Sequence, residues 1–306
     1  MKRHVLMLML AFAVILMAAC STESPVESGN DSNSGEDDKL TVGFSISTLN
    51  NPFFVTLQEG AEAKAEEMGI DLVVVDAQDG VAKQISDVED LIQQGVDVIL
   101  INPTDSASVG TAVEAANSAG IPVITVDREA EEGEVAIHVA SDNVLGGEMA
   151  GEQLVDLVGE GAKVAELEGI PGSSAARERG EGFHNVADDA LDIVTTQTAN
   201  FNRAEGLTVM ENILQSNPDI AGVFAHNDEM ALGALEAAEA AGREDLVIIG
   251  FDATDDAVAA VDNGRLAGTV AQQPVLIGEE ALEAALKLYN DEEVEKFIPV
   301  ELELIK

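Results

Sequence analysis

VDVILINPTDSASVGTAVEAANSAGIPVITVD occupies residues 96–127 and places two Val/Ile-rich runs on either side of an alanine-rich segment. The runs at 96–101 and 121–126 are continuous and apolar, which is typical of parallel strands that are buried on both faces. The segment at 105–119 has apolar residues three and four positions apart, the spacing of one helix face. The stretch therefore predicts a strand, a helix and a second parallel strand.

The same alternation of apolar runs and helical segments extends over residues 40–271. Further apolar runs lie at 40–46, 71–76, 135–140, 162–167, 191–196, 220–225, 246–251 and 266–271. Helical spacing recurs between them at 55–68, 203–216 and 229–241. This pattern predicts an α/β fold of doubly wound parallel sheets with right-handed crossovers.

The number of predicted strands favours two similar lobes over one open sheet, because ten strands approach the upper limit of a single twisted sheet. The N-terminal lobe is expected to comprise residues 40–141 and 273–301, and the C-terminal lobe residues 142–272 and 302–306. Three hinge crossings are predicted, in SDNVLGG (141–147), AQQPV (271–275) and FIPVELELIK (297–306). Such a hinge would allow the lobes to close around a ligand.

The N-terminus has the pattern of an export signal. MKRH is a basic start, residues 5–19 form an unbroken apolar run, and MAAC ends at Cys20, the one cysteine of the chain. The apolar run is shorter than the roughly 20 residues that span a membrane, and it suits a signal-peptide core. We predict a signal peptide at 1–19 and a disordered, solvated acidic tether at 20–39.

Small residues directly before Cys20 resemble a bacterial lipobox, so we expect Cys20 to be lipidated. The protein would then be anchored on the extracytoplasmic face of the cell membrane, on the periplasmic side or on a Gram-positive surface. A buried N-terminal helix with an incidental cysteine is the alternative. Because the chain has no second cysteine, internal disulfides and Cys-based zinc sites are excluded.

The chain is strongly acidic, with 58 Asp and Glu against 15 Lys and Arg and a formal net charge of -43. Most nucleic-acid roles are therefore excluded, because phosphate backbones are held by clustered cations, and we expect no nucleic-acid partner. Such an excess predicts a halophilic, salt-adapted surface, since salt screens the repulsion among like charges. An ordinary acidic secreted protein is the alternative.

Polar and aromatic side chains follow most of the predicted strands. Ligands of open parallel sheets bind beyond the carboxyl ends of the strands, and these ends carry Asn50, Asn51, Phe53, Phe54, Asn102, Asp127, Arg128, Arg177, Arg179, Phe201, Asn227, Phe251, Asp252 and Gln272. Arginines donate, carboxylates accept, amides do both, and phenylalanine rings supply apolar faces. This combination suits a small polyhydroxylated molecule such as a sugar. Asn143 and Asp228, by contrast, are expected to be turn or helix-cap residues.

Catalysis is not expected. The four histidines show no metal-ligand spacing, and no phosphate-binding, dinucleotide-binding or nucleophile-elbow motif is present. Asp127 and Asp252 could mimic a glycosidase pair. The neighbouring Arg128, however, should keep Asp127 ionised and unable to act as an acid. We therefore expect a binding protein that is not an enzyme and has no cofactor and no metal ion.

Seven motifs resemble the bacterial ribose-binding proteins of ABC uptake systems. They are LNNPFF (49–54), LINPTD (100–105), VITVDRE (123–129), SDNVLGG (141–147), AARERGEGF (175–183), FAHNDEMALGA (224–234) and IIGFDAT (248–254). The resemblance implies a type I periplasmic-binding-protein fold that closes on one sugar, D-ribose, and delivers it to an ABC permease. It also implies that the ligand contacts are Asn51, Phe53, Phe54, Asn102, Asp127, Arg128, Arg179, Phe201, Asn227, Phe251, Asp252 and Gln272.

Other functions share this pattern. A sugar-responsive transcription regulator would need a basic helix-turn-helix segment ahead of the core, where this chain has its apolar run and acidic tether. A receptor for chemotaxis or quorum sensing would use the same body to bind another small sugar or autoinducer-2. For the solute-binding protein we expect a monomer whose contact with the membrane is made through the lipid anchor alone.

Overall fold

The computed structural model describes residues 39–306. The predicted signal peptide at 1–19, the lipidation site at Cys20 and nearly all of the predicted tether at 20–39 lie outside the described residues. Between residues 39 and 306, no helix combines the length and the apolar character that crossing a bilayer requires.

Two six-stranded sheets organise the described part of the chain. The first contains, in spatial order, β11 (Phe297–Val300), β5 (Ile137–Ser141), β4 (Val123–Val126), β3 (Val98–Ile101), β1 (Thr41–Ile46) and β2 (Asp71–Asp76). The second contains β12 (Glu303–Ile305), β10 (Gly268–Ala271), β9 (Val247–Asp252), β8 (Gly222–Ala225), β6 (Lys163–Glu168) and β7 (Asp192–Thr198). All pairs are parallel except β10 with β12, which are antiparallel.

Helices connect the strands and cover the faces of both sheets. In chain order they are α1 (Pro52–Met68), α2 (Val81–Gln94), α3 (Gly110–Ser118), α4 (Asn143–Val158), α5 (Ser174–Ala190), α6 (Arg203–Ser216), α7 (Asp228–Ala240), α8 (Asp255–Asp262) and α9 (Pro274–Tyr289). Each sheet has a buried apolar cluster on either face. The predicted class, doubly wound parallel sheets in two lobes, is confirmed.

The chain crosses between the sheets three times, after β5, after β10 and after β11. The residue limits given above for the two lobes stay a prediction.

The helix predicted at 105–119 begins later, at Gly110. The Asp105 carboxylate accepts a hydrogen bond from the backbone N–H of Ser108 (2.7 Å), which holds residues 105–109 in a turn instead. Aspartate side chains compete with helical hydrogen bonds in this way.

Helices α4 and α5 pack unusually closely through glycines. A Cβ added to Gly182 of α5 would overlap the carbonyl oxygen of Val144, and one added to Gly147 of α4 would overlap the carbonyl oxygen of Arg179. Only glycine leaves room for backbones to approach this closely. The contact brings the first turn of α4 beside the side of α5 that carries Arg179.

Candidate ligand-binding site

A cavity lies at the carboxyl ends of the strands of both sheets. It is lined by Asn51, Phe53, Phe54, Asp127, Arg128, Ala175, Arg179, Phe201, Asn227, Asp252 and Gln272. Ten of these eleven residues were predicted ligand contacts. The other two predicted contacts, Asn102 and Phe251, are fully buried directly behind the lining.

The start of α1 brings the first three lining residues to the cavity. Asn51 caps the helix, since its side chain accepts a hydrogen bond from the backbone N–H of Phe53 (3.0 Å). Pro52 follows at the first helical position, where its missing N–H costs nothing. The first turn therefore presents Phe53 and Phe54 towards the sheet ends, with their rings edge to face at 5.2 Å.

Asn102 orients Asp127 from behind. Its amide oxygen accepts hydrogen bonds from the backbone N–H (3.1 Å) and the hydroxyl (2.6 Å) of Ser47. Its amide nitrogen donates to the carbonyl of Val126 (3.0 Å) and to Asp127 Oδ2 (3.3 Å). Because all its polar atoms are used within the protein, we assign Asn102 a positioning role for the Asp127 carboxylate.

Arg128 lies between two aromatic rings. Its guanidinium carbon is 5.0 Å from the centre of the Phe54 ring and 5.3 Å from that of Phe201. Nη1 donates to the carbonyl of Pro103 (3.0 Å), whereas the buried Nε makes no hydrogen bond within the described residues. Burial lowers the pKa of Arg128, against the attraction of Asp127. Nε lies 3.6 Å from Asp127 Oδ2, which is ion-pair range but too far for a hydrogen bond, so this buried donor still lacks a hydrogen-bond acceptor.

Arg179 is held from three sides. Nε donates to the side-chain oxygen of Asn143 (2.9 Å), and Nη1 donates to the backbone carbonyl of His226 (2.7 Å). The guanidinium stacks 3.9 Å above the centre of the Phe251 ring. Phe251 is therefore the platform beneath Arg179, which explains why it lies behind the lining.

Asp252 and Gln272 complete the second wall. Gln272 Nε2 donates to Asp252 Oδ1 (2.9 Å), and Arg179 Nη1 lies 3.6 Å from the same oxygen. Burial raises the pKa of Asp252 well above its usual value, although Arg179 opposes the shift. The remaining side-chain oxygen of Gln272 is buried without a hydrogen-bond donor in the described chain.

Three lining residues have backbones in the left-handed region, which non-glycine residues rarely adopt. The φ angles are 65° at Asp127, 58° at Phe201 and 119° at Asp252. Each such residue costs about 1–3 kcal/mol and persists only where its surroundings enforce it. The fold therefore accepts strained backbone at these three positions, and the strained conformations direct the three side chains.

Two residues that the sequence assigned to caps or turns have other roles. The cap of α4 is Asp142, which accepts from the backbone N–H of Leu145 (3.0 Å). Asn143 instead holds Arg179 and donates to Glu178 Oε2 (3.0 Å). The local sequence around Asn143 could not predict these contacts, because both partners, Arg179 and Glu178, lie on α5.

Asp228 is the second correction. The cap of α7 is Asn227, whose side chain accepts from the backbone N–H of Met230 (3.0 Å) while also lining the cavity. Asp228 is fully buried and accepts from the Thr269 hydroxyl (2.7 Å) and the Thr254 backbone N–H (2.7 Å). Burial raises the pKa of Asp228 to about 7. Through its hydrogen bonds to Thr269 and Thr254, Asp228 connects the loop after Asp252 with β10.

Ala175 is the lining residue that sequence reasoning missed. It lies in the first turn of α5 and is buried. A methyl side chain carries no chemical signal of binding. Across residues 39–306, no cluster of three or more His, Cys, Asp or Glu side chains is arranged to hold a metal ion.

Hydrogen bonds close the cavity along one rim. The backbone N–H of Ser106 donates to the carbonyl of Gly172 (2.9 Å), and that of Ser174 donates to the Ser106 hydroxyl (3.1 Å). The backbone N–H of Glu129 donates to the Ser174 hydroxyl (2.9 Å). These bonds join loops after β3 and β4 to the start of α5. The structure is thus a closed state, and a ligand must enter while the two walls are apart.

Comparisons with known proteins agree with this geometry. The model of the periplasmic binding protein domain family matches residues 42–293. The chain is 57% identical to the ribose import binding protein RbsB of Bacillus subtilis (strain 168) over 295 residues, which cover 96% of both proteins. It is 52% identical to the Escherichia coli (strain K12) protein of the same name over 268 residues, 87% of this chain and 90% of that protein.

A solved structure has the same fold. An ABC transporter periplasmic solute-binding protein from Actinobacillus succinogenes 130z, with bound D-allose, superposes with a TM-score of 0.83 at 33% identity. The match covers 88% of this chain and 98% of that protein.

Proposed function

Because the chain belongs to the periplasmic binding protein domain family, whose matched members are solute-binding proteins and not enzymes, we propose that it captures D-ribose outside the cytoplasm and delivers it to an ABC permease. One observation carries the proposal. Arg128 and Gln272 line the cavity, and each has one buried side-chain atom, Nε and Oε1 respectively, without a hydrogen-bond partner among the described residues. One is a donor and the other an acceptor, and a sugar hydroxyl can satisfy either.

The size and chemistry of the cavity support a single small sugar ring. The lining combines aromatic rings with carboxylate, guanidinium and amide groups around one small space. Phe53, Phe54 and Phe201 supply apolar faces on which a ring can pack. The polar groups around these rings can pair with the hydroxyls of one sugar.

Closure explains how capture would work. The charged lining side chains are almost entirely buried in the closed state, and burying such groups is costly unless they are paired. A sugar supplies the missing partners and therefore favours the closed state over the open one. Opening at the permease would reverse the exchange and release the sugar.

Isothermal titration with D-ribose is the test. We expect a dissociation constant near or below micromolar, about -8 kcal/mol or better, and weaker binding of D-glucose and D-galactose. If D-ribose produces neither heat nor a thermal shift while another pentose, a hexose or autoinducer-2 does, the ribose assignment is wrong and the solute-binding role stands.

We further propose that Cys20 carries a lipid anchor. The support is the sequence pattern around it, a basic start, an apolar run and small residues before the cysteine. Cys20→Ser should leave the protein unprocessed and move it out of the lipid-modified membrane fraction. Unchanged fractionation, together with no lipid label on the wild type, would remove this proposal.

We also propose that the acidic surface is adapted to high salt. Most basic side chains of the described chain already lie in ion pairs, for example Lys64 with Glu283, Lys163 with Asp219 and Arg265 with Glu239. Many carboxylates therefore repel one another without a nearby cation. The unfolding temperature should rise from low to molar NaCl, because the Debye length falls to about 3 Å at 1 M. A flat or falling curve would favour an ordinary acidic protein.

A further inference from the structure

A buried carboxylate lies behind the second wall of the cavity without lining it. Glu166 on β6 is completely buried. Its Oε1 accepts a hydrogen bond from His226 Nε2 (2.9 Å), and its Oε2 accepts from Thr196 Oγ1 (3.0 Å) and His184 Nε2 (3.1 Å). Burying an ionised carboxylate costs free energy unless the carboxylate is fully paired. The three donors to Glu166 provide this pairing, and one of them, His226, also contacts the cavity wall.

His226 is the partner that connects this carboxylate to the cavity. Its backbone N–H donates to the carbonyl of Leu167 on β6 (3.0 Å), and its ring Nδ1 faces the backbone N–H of Gly169 at 3.5 Å. The ring therefore carries its proton on Nε2, towards Glu166, and accepts at Nδ1. Its backbone carbonyl accepts from Arg179 Nη1 (2.7 Å).

These contacts form a continuous path from the carboxylate to the ligand-contacting arginine. Burial acts to raise the pKa of Glu166, but the hydrogen bond from His226, together with its other partners, outweighs burial and lowers it. An ionised carboxylate accepts stronger hydrogen bonds than a neutral group does. The ring of His226 is thus fixed, and with it the peptide whose carbonyl directs the guanidinium.

We infer that Glu166 and His226 are a positioning pair that sets the orientation of Arg179, so that sugar affinity depends on a carboxylate that never touches the sugar. The inference rests on the proposed sugar-binding function. Nη1 of Arg179 is directed by His226 and Nε by Asn143. With these two nitrogens held by the protein, the unassigned N–H groups on Nη2 are left for the ligand.

Three single variants separate positioning from general stability. His226→Leu removes both ring hydrogen bonds and should raise the dissociation constant for D-ribose about tenfold or more, since a hydrogen bond to a charged group is lost. His226→Gln keeps a donor for Glu166 and an acceptor for the Gly169 N–H, so it should restore affinity. Thr196→Val is the matched control, because it removes a donor from Glu166 but leaves the bond to His226.

A double variant tests the route through Arg179. If His226 acts by orienting this arginine, His226→Leu should cause no further loss of affinity in the Arg179→Ala background. Additive losses would overturn the inference, as would equal losses in His226→Leu and Thr196→Val at equal unfolding temperatures. If His226→Leu does not fold, Glu166→Gln tests the inference with a side chain of the same volume. Unchanged affinity for D-ribose in Glu166→Gln would overturn the inference. Weaker affinity in Glu166→Gln, but not in Thr196→Val, would support it.

The outcomes also separate this inference from the proposed function. If the wild type binds no D-ribose, the ribose assignment fails, and the variants are measured with whichever solute of the panel binds. If the wild type binds D-ribose and His226→Leu binds it equally well, the positioning pair fails alone.

Discussion

Arg179→Ala is expected to weaken D-ribose binding by about 2–5 kcal/mol, the range for truncating one partner of a buried hydrogen-bonded charge pair. The side chain contacts Asn143, His226 and Asp252 and stacks on Phe251. Its removal would leave the buried carboxyl of Asp252 without its nearest cation, and the sugar hydroxyls without a donor. Isothermal titration measures the loss, and the unfolding transition of the ligand-free variant checks that it folds.

Arg177→Ala is the matched control, since Arg177 lies on the same helix two residues earlier. Its side chain is about half exposed (46%) and pairs with Glu131 at the rim of the cavity. Exposed ion pairs contribute about 0–1 kcal/mol, so this variant should bind D-ribose nearly as well as the wild type. Equal losses in the two variants would mean that closure of the rim, and not contact with the sugar, gives Arg179 its importance.

Gly182→Ala is expected to destabilise the protein by about 3 kcal/mol, at the upper end of the usual cost of overpacking. The added methyl group would overlap the carbonyl oxygen of Val144 and approach the backbone nitrogen of Glu148 to 2.9 Å. Both atoms belong to the backbone of α4, so no side chain can move aside. The two helices must separate, and urea unfolding should show a lower midpoint with an unchanged slope.

Gly180→Ala is the control on the same helix. There the nearest atom to the new methyl group is Cε1 of His226, at 3.3 Å, and no backbone atom of a neighbouring element is that close. Alanine is also the better helix former by about 0.5–1 kcal/mol. The ring must shift by a few tenths of an ångström, which offsets part of this gain. We therefore expect a much smaller change than for Gly182→Ala, and an equal destabilisation would contradict close packing of α4 and α5 as the cause.

The sequence was sufficient for the strand and helix pattern, because that pattern is local. Continuous Val and Ile runs predict parallel strands wherever they occur, and β2 (Asp71–Asp76) has the predicted limits although it is a partly exposed edge strand. Where prediction and structure differ, as at Gly110, a single side chain, Asp105, supplies an alternative hydrogen bond to the backbone.

The sequence also predicted most of the cavity lining, because the order and direction of the strands bring these residues together. Parallel strands end at the same edge of a sheet, so residues after successive strands lie near one another even when they are far apart in the chain. Asp127, Asn227 and Asp252 could be selected in this way. The resemblance to ribose-binding proteins then narrowed the ligand from a small sugar to D-ribose.

Only the tertiary structure distinguished the residues that line the cavity from those that hold them. Asn102 and Phe251 follow or end their strands like the lining residues, yet the first supports Asp127 and the second lies beneath Arg179. Asn143 contacts Arg179 because glycines bring α4 and α5 together. Such hydrogen-bond partners are decided by the approach of separate elements, and no local periodicity in the sequence encodes that distance.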